Sequence, residues 1–245
     1  MDRTSRQRGF SLVSILVGLL LGLFSVLAAL SLYRIQAQQA SVTQLAARTM
    51  ESQTISLQMV ELEIHNAGFG IENATAANHF AILSEAVVQS SESGVKPSGE
   101  AIVIPSSSTP ADGNAVIWRW QANPANAATI RCAALIADPE TQELLYLEST
   151  ACQLGTSLTQ FNWPASARRV IVPSQSSLVV TFQARMANCS PYGAGMPAAG
   201  LLLSISARPD TTADNSPWNA ERNANAIGAD NLQISNEFCL NGIAS

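Results

Sequence analysis

The sequence predicts an α+β protein in which a long N-terminal α-helix packs on an antiparallel β-sheet head. Three observations carry that expectation. Residues 10–33 hold no charged side chain and are dominated by Leu, Val, Ala, Ile and Phe. Residues 34–66 are polar, free of proline, and rich in Gln, Ala, Leu, Glu and Met, which suit a helix. Past residue 70 the pattern breaks into short apolar runs separated by Gly, Pro, Ser, Asn and Asp clusters, as strands and turns do.

The helix comes first. Val42, Ala46 and Met50, then Leu57, Val60 and Ile64, recur at three-, four- and seven-residue intervals and define one apolar stripe. The stripe continues the uncharged segment, so a single helix is expected from about Phe10 to about Asn66, roughly 85 Å long at about 1.5 Å per residue. Ala67-Gly68-Phe69-Gly70 marks its end, since glycine supplies the left-handed residue that caps a helix.

Candidate strands follow at 101–104, 115–120, 129–136, 144–147, 170–172, 178–183, 201–207 and 232–238. Pro110-Ala111-Asp112-Gly113 and Asp138-Pro139 read as turns. The runs 130–136 and 144–147 are expected to form a hairpin, with Cys132 and Cys152 close to its open end. Residues 188–199 and 209–230 read as loops. In Trp118-Arg119-Trp120 the alternation puts both Trp on one face, most simply the core face, and a subunit interface if that face is exposed.

Charge and cysteine content bound the function. Charged residues make up 13% of the 245 residues, against roughly 25% in ordinary soluble domains. The net charge is −5, which offers none of the basic face that gripping nucleic acid requires. Arg3, Arg6 and Arg8 precede the apolar run, and removal of residues 1–9 with their three Arg and one Asp takes the net charge to −7. The four cysteines, Cys132, Cys152, Cys189 and Cys239, all follow the apolar segment. An even number in an exported domain reads as disulfides. Three connectivities are open, and pairing nearest neighbours along the chain gives Cys132–Cys152 and Cys189–Cys239.

The N-terminus admits three readings. The apolar run is long enough for a transmembrane helix, which needs about 20 residues, and the preceding arginines would keep its start in the cytoplasm. A secretory signal has a shorter apolar region, of about 7–15 residues, although Val26-Leu27-Ala28-Ala29 imitates a cleavage site. The third reading rests on Arg8-Gly9-Phe10-Ser11-Leu12-Val13. This junction resembles the class III leader of type IV pilins and pseudopilins, in which a prepilin peptidase cuts after the glycine and the new N-terminal phenylalanine is methylated. A residue without a side chain at Gly9 lets the backbone approach closely.

The resemblance implies a pilin-like layout: a leader at 1–9, an assembly half of the helix at 10–33, an amphipathic half at 34–70 and a β-rich head at 71–245. Gly9 and Phe10 would be the cleavage and methylation sites. Within the group, the Gly-Phe-Ser-Leu-Val opening and Ala67-Gly68-Phe69-Gly70 are most similar to PilW-type minor pilins. Cys189 and Cys239 resemble the cysteines that bound the C-terminal loop of many pilins. One position departs: family members usually carry glutamate at the fifth mature residue, where this chain has Ser14. That carboxylate is thought to neutralise a neighbouring subunit's N-terminal amine, and Ser14 offers no charge for it. The departure suits a subunit used once, near a filament tip.

The implied function is that of a minor pilin that initiates or caps a type IV pilus, serving motility, adhesion or DNA uptake. Its partners would be other minor pilins, the major pilin, inner-membrane assembly proteins and the prepilin peptidase. It would start as a single-pass inner-membrane protein with a periplasmic head and end in the pilus. A minor pseudopilin of type II secretion and a tip adhesin are the alternatives. The Gly18-Leu19-Leu20-Leu21-Gly22 pattern permits close helix packing in a membrane.

No enzyme chemistry is visible, and no cofactor or metal is implied. His65 and His79 lack metal-ligand spacing, and the cysteines form no C-x-x-C. Asp210, Asp214 and Asn215 do not follow a calcium-loop pattern. Arg168-Arg169 reads as a charge pair on a strand edge.

Overall fold

The computed structural model describes residues 12–91, 94–105, 109–150, 152–173, 178–190, 198–210, 233–240 and 242–243. The protein has an N-terminal apolar helix and an antiparallel β-sheet region, a broadly α+β architecture. Two compact units divide at residue 50: Met1–Met50 and Glu51–Ser245. Helix α1 (Leu12–Ile64) supplies the described part of the first and begins the second. No glycine or proline interrupts it after Gly22. Within the first unit the side chains described from residue 12 to 41 are exposed.

In the second unit the helix is one-sided. Leu57, Val60 and Ile64 are buried at the predicted spacing, while Ile55, Met59 and Leu62 face outward. Burying each of the three inward residues stabilises the unit by about 1.5–3 kcal/mol. The last turn tightens through Asn66 N to Glu63 O (3.2 Å) and Ala67 N to Ile64 O (2.9 Å), and Gly68 then takes φ +74°, the left-handed cap that glycine permits.

The sheet region contains ten strands among the described residues: β1 (Phe80–Ser91), β2 (Gly94–Ile102), β3 (Ala111–Gly113), β4 (Ala115–Gln121), β5 (Ile130–Asp138), β6 (Glu143–Ser149), β7 (Arg168–Val172), β8 (Leu178–Cys189), β9 (Ala198–Pro209) and β10 (Ile234–Leu240). A four-residue helix, α2 (Ala76–His79), precedes β1. The strands form two antiparallel sheets, a six-stranded one in the order β2-β1-β4-β5-β6-β7 and a four-stranded one in the order β10-β9-β8-β3. The expected hairpin is β5–β6, with Cys132 opposite Ser149. The expected single sheet is thus two. Leu57, Val60 and Ile64 share one apolar cluster with Trp118 and Leu135 of the larger sheet and Phe182 and Leu203 of the smaller.

Four local expectations are corrected. Strand β1 was not anticipated; β2 begins earlier than residue 101; and Ala111–Gly113, read as a turn, is a short strand paired with β8. The loop expected at 188–199 is narrower, since Cys189 and Ala198 are paired. Residues 191–197 and most of the loop expected at 209–230 lie outside the described residues.

Asn114 accommodates the irregularity in β1. Register slips in β1 between Ser84 and Val87, with Glu85 at φ +50°, which leaves the Ala86 backbone off the ladder. The Asn114 side chain meets it there. Its Oδ1 accepts from Ala86 N (2.7 Å), and its Nδ2 donates to Ala86 O (2.7 Å) and Ala137 O (2.9 Å). One carboxamide therefore bridges two strands at the corner where the chain passes from β3 in one sheet to β4 in the other. Unpaired, those buried groups would each cost about 1–3 kcal/mol.

Candidate assembly surface and the sealed head

Of the residues singled out for processing, Gly9 and Phe10 lie outside the described residues. Ser14 is exposed in the first turn of α1. From Leu12 to Ser41 the helix has a mean hydropathy of 2.6 with none of that segment buried, long and apolar enough to cross a membrane by length and composition. An unburied apolar surface of this kind is unusual on a soluble monomer and marks membrane or subunit contact. At Gly18 and Gly22 a Cβ would meet open space in the isolated chain.

The head is sealed where the helix enters it. Gly68 N donates to Arg119 O (2.9 Å) and Gln121 N to Phe69 O (2.8 Å). Strand β1 pairs β4 only as far as Trp118, so Gly68 and Phe69 take over the edge of β4 where β1 stops. The Tyr146 hydroxyl donates to Glu63 Oε2 (3.3 Å). Burial, reinforced by the Glu63 carboxylate, pushes that phenol's pKa up, so it stays protonated as the donor. On the other side of the ring, the Arg169 guanidinium lies 5.3 Å from its centroid. Arg168 pairs with Glu143 at 3.0 Å. The basic pair therefore serves the strand edge.

Trp118 and Trp120 are both buried, and Trp118 packs in the inter-sheet core with Tyr146 at 6.3 Å between ring centroids. Arg119, between them, lies on the opposite face of β4. That face is not outward. It carries a second apolar cluster, including Leu83, Ile117, Ile136 and Leu147, covered by residues 152–163 through Cys152, Leu158 and Trp163. Arg119 is 1% exposed beneath this strap. Its Nη1 donates to Gln153 O (2.9 Å) and Leu154 O (2.7 Å), and its Nη2 to Thr156 O (2.5 Å). Burial pushes the guanidinium's pKa down. The sequence signal for this burial is β4 itself, apolar at both alternating sets apart from Arg119 and Gln121.

The cysteines join as Cys132–Cys152 and Cys189–Cys239. The first ties the strap to β5. Its loop of 20 residues is worth about 3 kcal/mol in the chain-entropy account. The second links the end of β8 to β10.

The histidines have structural surroundings. His65 stacks edge-on against Phe238 at 6.0 Å. His79 is buried at the end of α2, its Nδ1 3.0 Å from Thr75 N. Burial lowers its pKa; the Thr75 backbone opposes this and the positive Arg119 adds to it. A histidine kept neutral when folded leaves the unfolded chain binding more protons below about pH 6.5. Head stability should therefore fall as pH drops through that value. A His79→Gln variant should lose less between pH 7 and pH 5, measured as urea midpoints at each pH. Equal losses in both chains would rule His79 out as the source.

Among the described residues no group of three His, Cys, Asp or Glu side chains is placed to hold a metal ion, and Asp214 and Asn215 lie outside them. No protein-family model, curated protein or solved structure matches the chain.

Proposed function

We propose that this chain is a minor, PilW-like subunit of a type IV pilus-like filament, processed between Gly9 and Phe10, with a structural role and no enzymatic one. The observation that carries the reading is the junction Gly9-Phe10 followed within two residues by one uninterrupted helix, Leu12–Ile64. That helix is apolar on all sides at first and one-sided where it enters a disulfide-bearing head. A helix that serves in lipid before assembly and among other helices afterwards needs apolar surface all round. A simple membrane anchor needs the same surface but has no use for a glycine-phenylalanine junction after a basic leader. The exposed Ser14, in place of a glutamate, fits a position where no neighbour's amine awaits neutralisation. This favours the tip over the shaft, with other minor pilins, the major pilin and inner-membrane assembly proteins as partners.

Mass spectrometry of the mature N-terminus tests the reading. The expected species begins at Phe10 and carries one added methyl group on its amine. An intact Met1, or a start near Ala29, would overturn it.

A further inference from the structure

Residues 152–163 cross the second face of the larger sheet with little secondary structure of their own. One backbone bridge holds their far end, where Val95 N donates to Trp163 O (2.7 Å) and Trp163 N to Val95 O (2.8 Å). At the near end stands Cys152, bonded to Cys132. Between them the carbonyls of Gln153, Leu154 and Thr156 converge on the Arg119 guanidinium. The three carbonyl-bearing residues start immediately after the disulfide, so that bond sets where they lie. Among the described residues no carboxylate forms an ion pair with Arg119. Those carbonyls are what replaces its water, and a guanidinium that lost them would recover hydration only by the strap lifting.

We propose that residues 152–163 are a redox-latched strap: formation of the Cys132–Cys152 bond seats Arg119 and seals the sheet, and loss of that bond opens the strap while the rest of the head stays folded. Cys132 is wholly buried in β5 beneath the strap and Cys152 nearly so, so exchange takes place with the strap lifted and the bond locks as it closes. The chemistry is thiol–disulfide exchange. A thiolate of the pair attacks the disulfide of an oxidising exchange protein and releases one of its thiolates. The second thiolate of the pair then attacks the mixed disulfide and releases the other. Two thiols of the strap pair become one disulfide, and the partner's disulfide becomes two thiols. The open form exposes the apolar face that carries Leu83, Ile117 and Ile136. Oxidation after export is then the step that removes a sticky surface from the head. This inference rests on the head alone and stands or falls apart from the filament reading.

The test is limited chymotrypsin digestion of the full chain in detergent micelles, with cut sites mapped by mass spectrometry. Leu154 and Phe161 supply sites on the strap. In a Cys189→Ser/Cys239→Ser chain, Cys132–Cys152 is the sole disulfide. Its oxidised form should resist cutting at 154–161, and dithiothreitol should speed those cuts at least tenfold and leave sites in the other strands unchanged. Reoxidation should restore resistance, and a Cys132→Ser/Cys152→Ser chain should be cut like the reduced form throughout. Equal strap cutting with and without the bond would overturn the proposal. So would equally accelerated cutting across the whole head, because the strap would then not open separately.

Discussion

Replacing Gly68 by valine is expected to lower the melting temperature of the head by roughly 6–12 °C, the effect of a loss of about 3 kcal/mol in a chain of this size. Two independent costs add. Gly68 sits at φ +74°, where a β-branched side chain is strained. A Cβ there would also run into the backbone carbonyl oxygen of Gly242 and the side chain of Ile243. Neither obstacle is a flexible side-chain end that swings aside: the first is main chain, and Ile243 is fully buried in the inter-sheet core. Gly155→Ala is the control, since a Cβ at Gly155 meets nothing within 4 Å. If Gly68→Val melts within about one degree of the parent, a change worth a few tenths of a kcal/mol, the docking described at Gly68 is not a determinant of stability.

Arg119→Met should cost about 3 kcal/mol in the urea unfolding of the oxidised chain, through a different mechanism. The apolar replacement is easily buried, but the carbonyls of Gln153, Leu154 and Thr156 lose their donor. Bonds from a charged donor are worth about 1.5–3 kcal/mol each, and an acceptor stranded in the interior costs about 1–3 kcal/mol. Partial recovery of water by the exposed outer side of residues 153–155 keeps the total below the sum. Arg119→Lys should fall between the two, because an ammonium lacks the planar fork that reaches three carbonyls from one side chain. An Arg119→Met chain as stable as the parent would mean that the strap is held by its disulfide and apolar side chains alone.

The two predictions differ in how much of their basis the sequence exposes. Gly68 is legible because helix periodicity is local: Leu57, Val60 and Ile64 name the buried face, and the glycine after them names the stop. The β5–β6 hairpin is legible for the same reason, two apolar runs flanking a turn. Strand β1 is not, because its bulge at Glu85 breaks the alternation and the compensating group, Asn114, lies 28 residues away from Ala86. Ala111–Gly113 carries turn residues and becomes a strand only because β8 lies beside it. Arg119 is the sharpest case. Period-two alternation places it opposite the tryptophans and says nothing of what covers that side. Only the strap, whose sequence has no periodicity, makes that side an interior.

The proposed processing junction stands at the other extreme. Gly9 and Phe10 are read from neighbouring residues alone, and their chemistry concerns a peptide bond rather than a folded site. The apolar helix after them is likewise legible from composition alone. Ile55, Met59 and Leu62 are outward apolar residues on the part of the helix that belongs to the second unit.

The close approach of Gly242 to Ala67 and Gly68 has a consequence for the order of events in synthesis. Residues near the end of α1 are made early, and Ile243, which fills the core beside them, about 175 residues later. Contacts of such long sequence separation form late and slowly. The head therefore cannot complete itself until residues 242–243 have been made. Until then the inward face of the helix, Leu57, Val60 and Ile64, lacks part of the core that buries it.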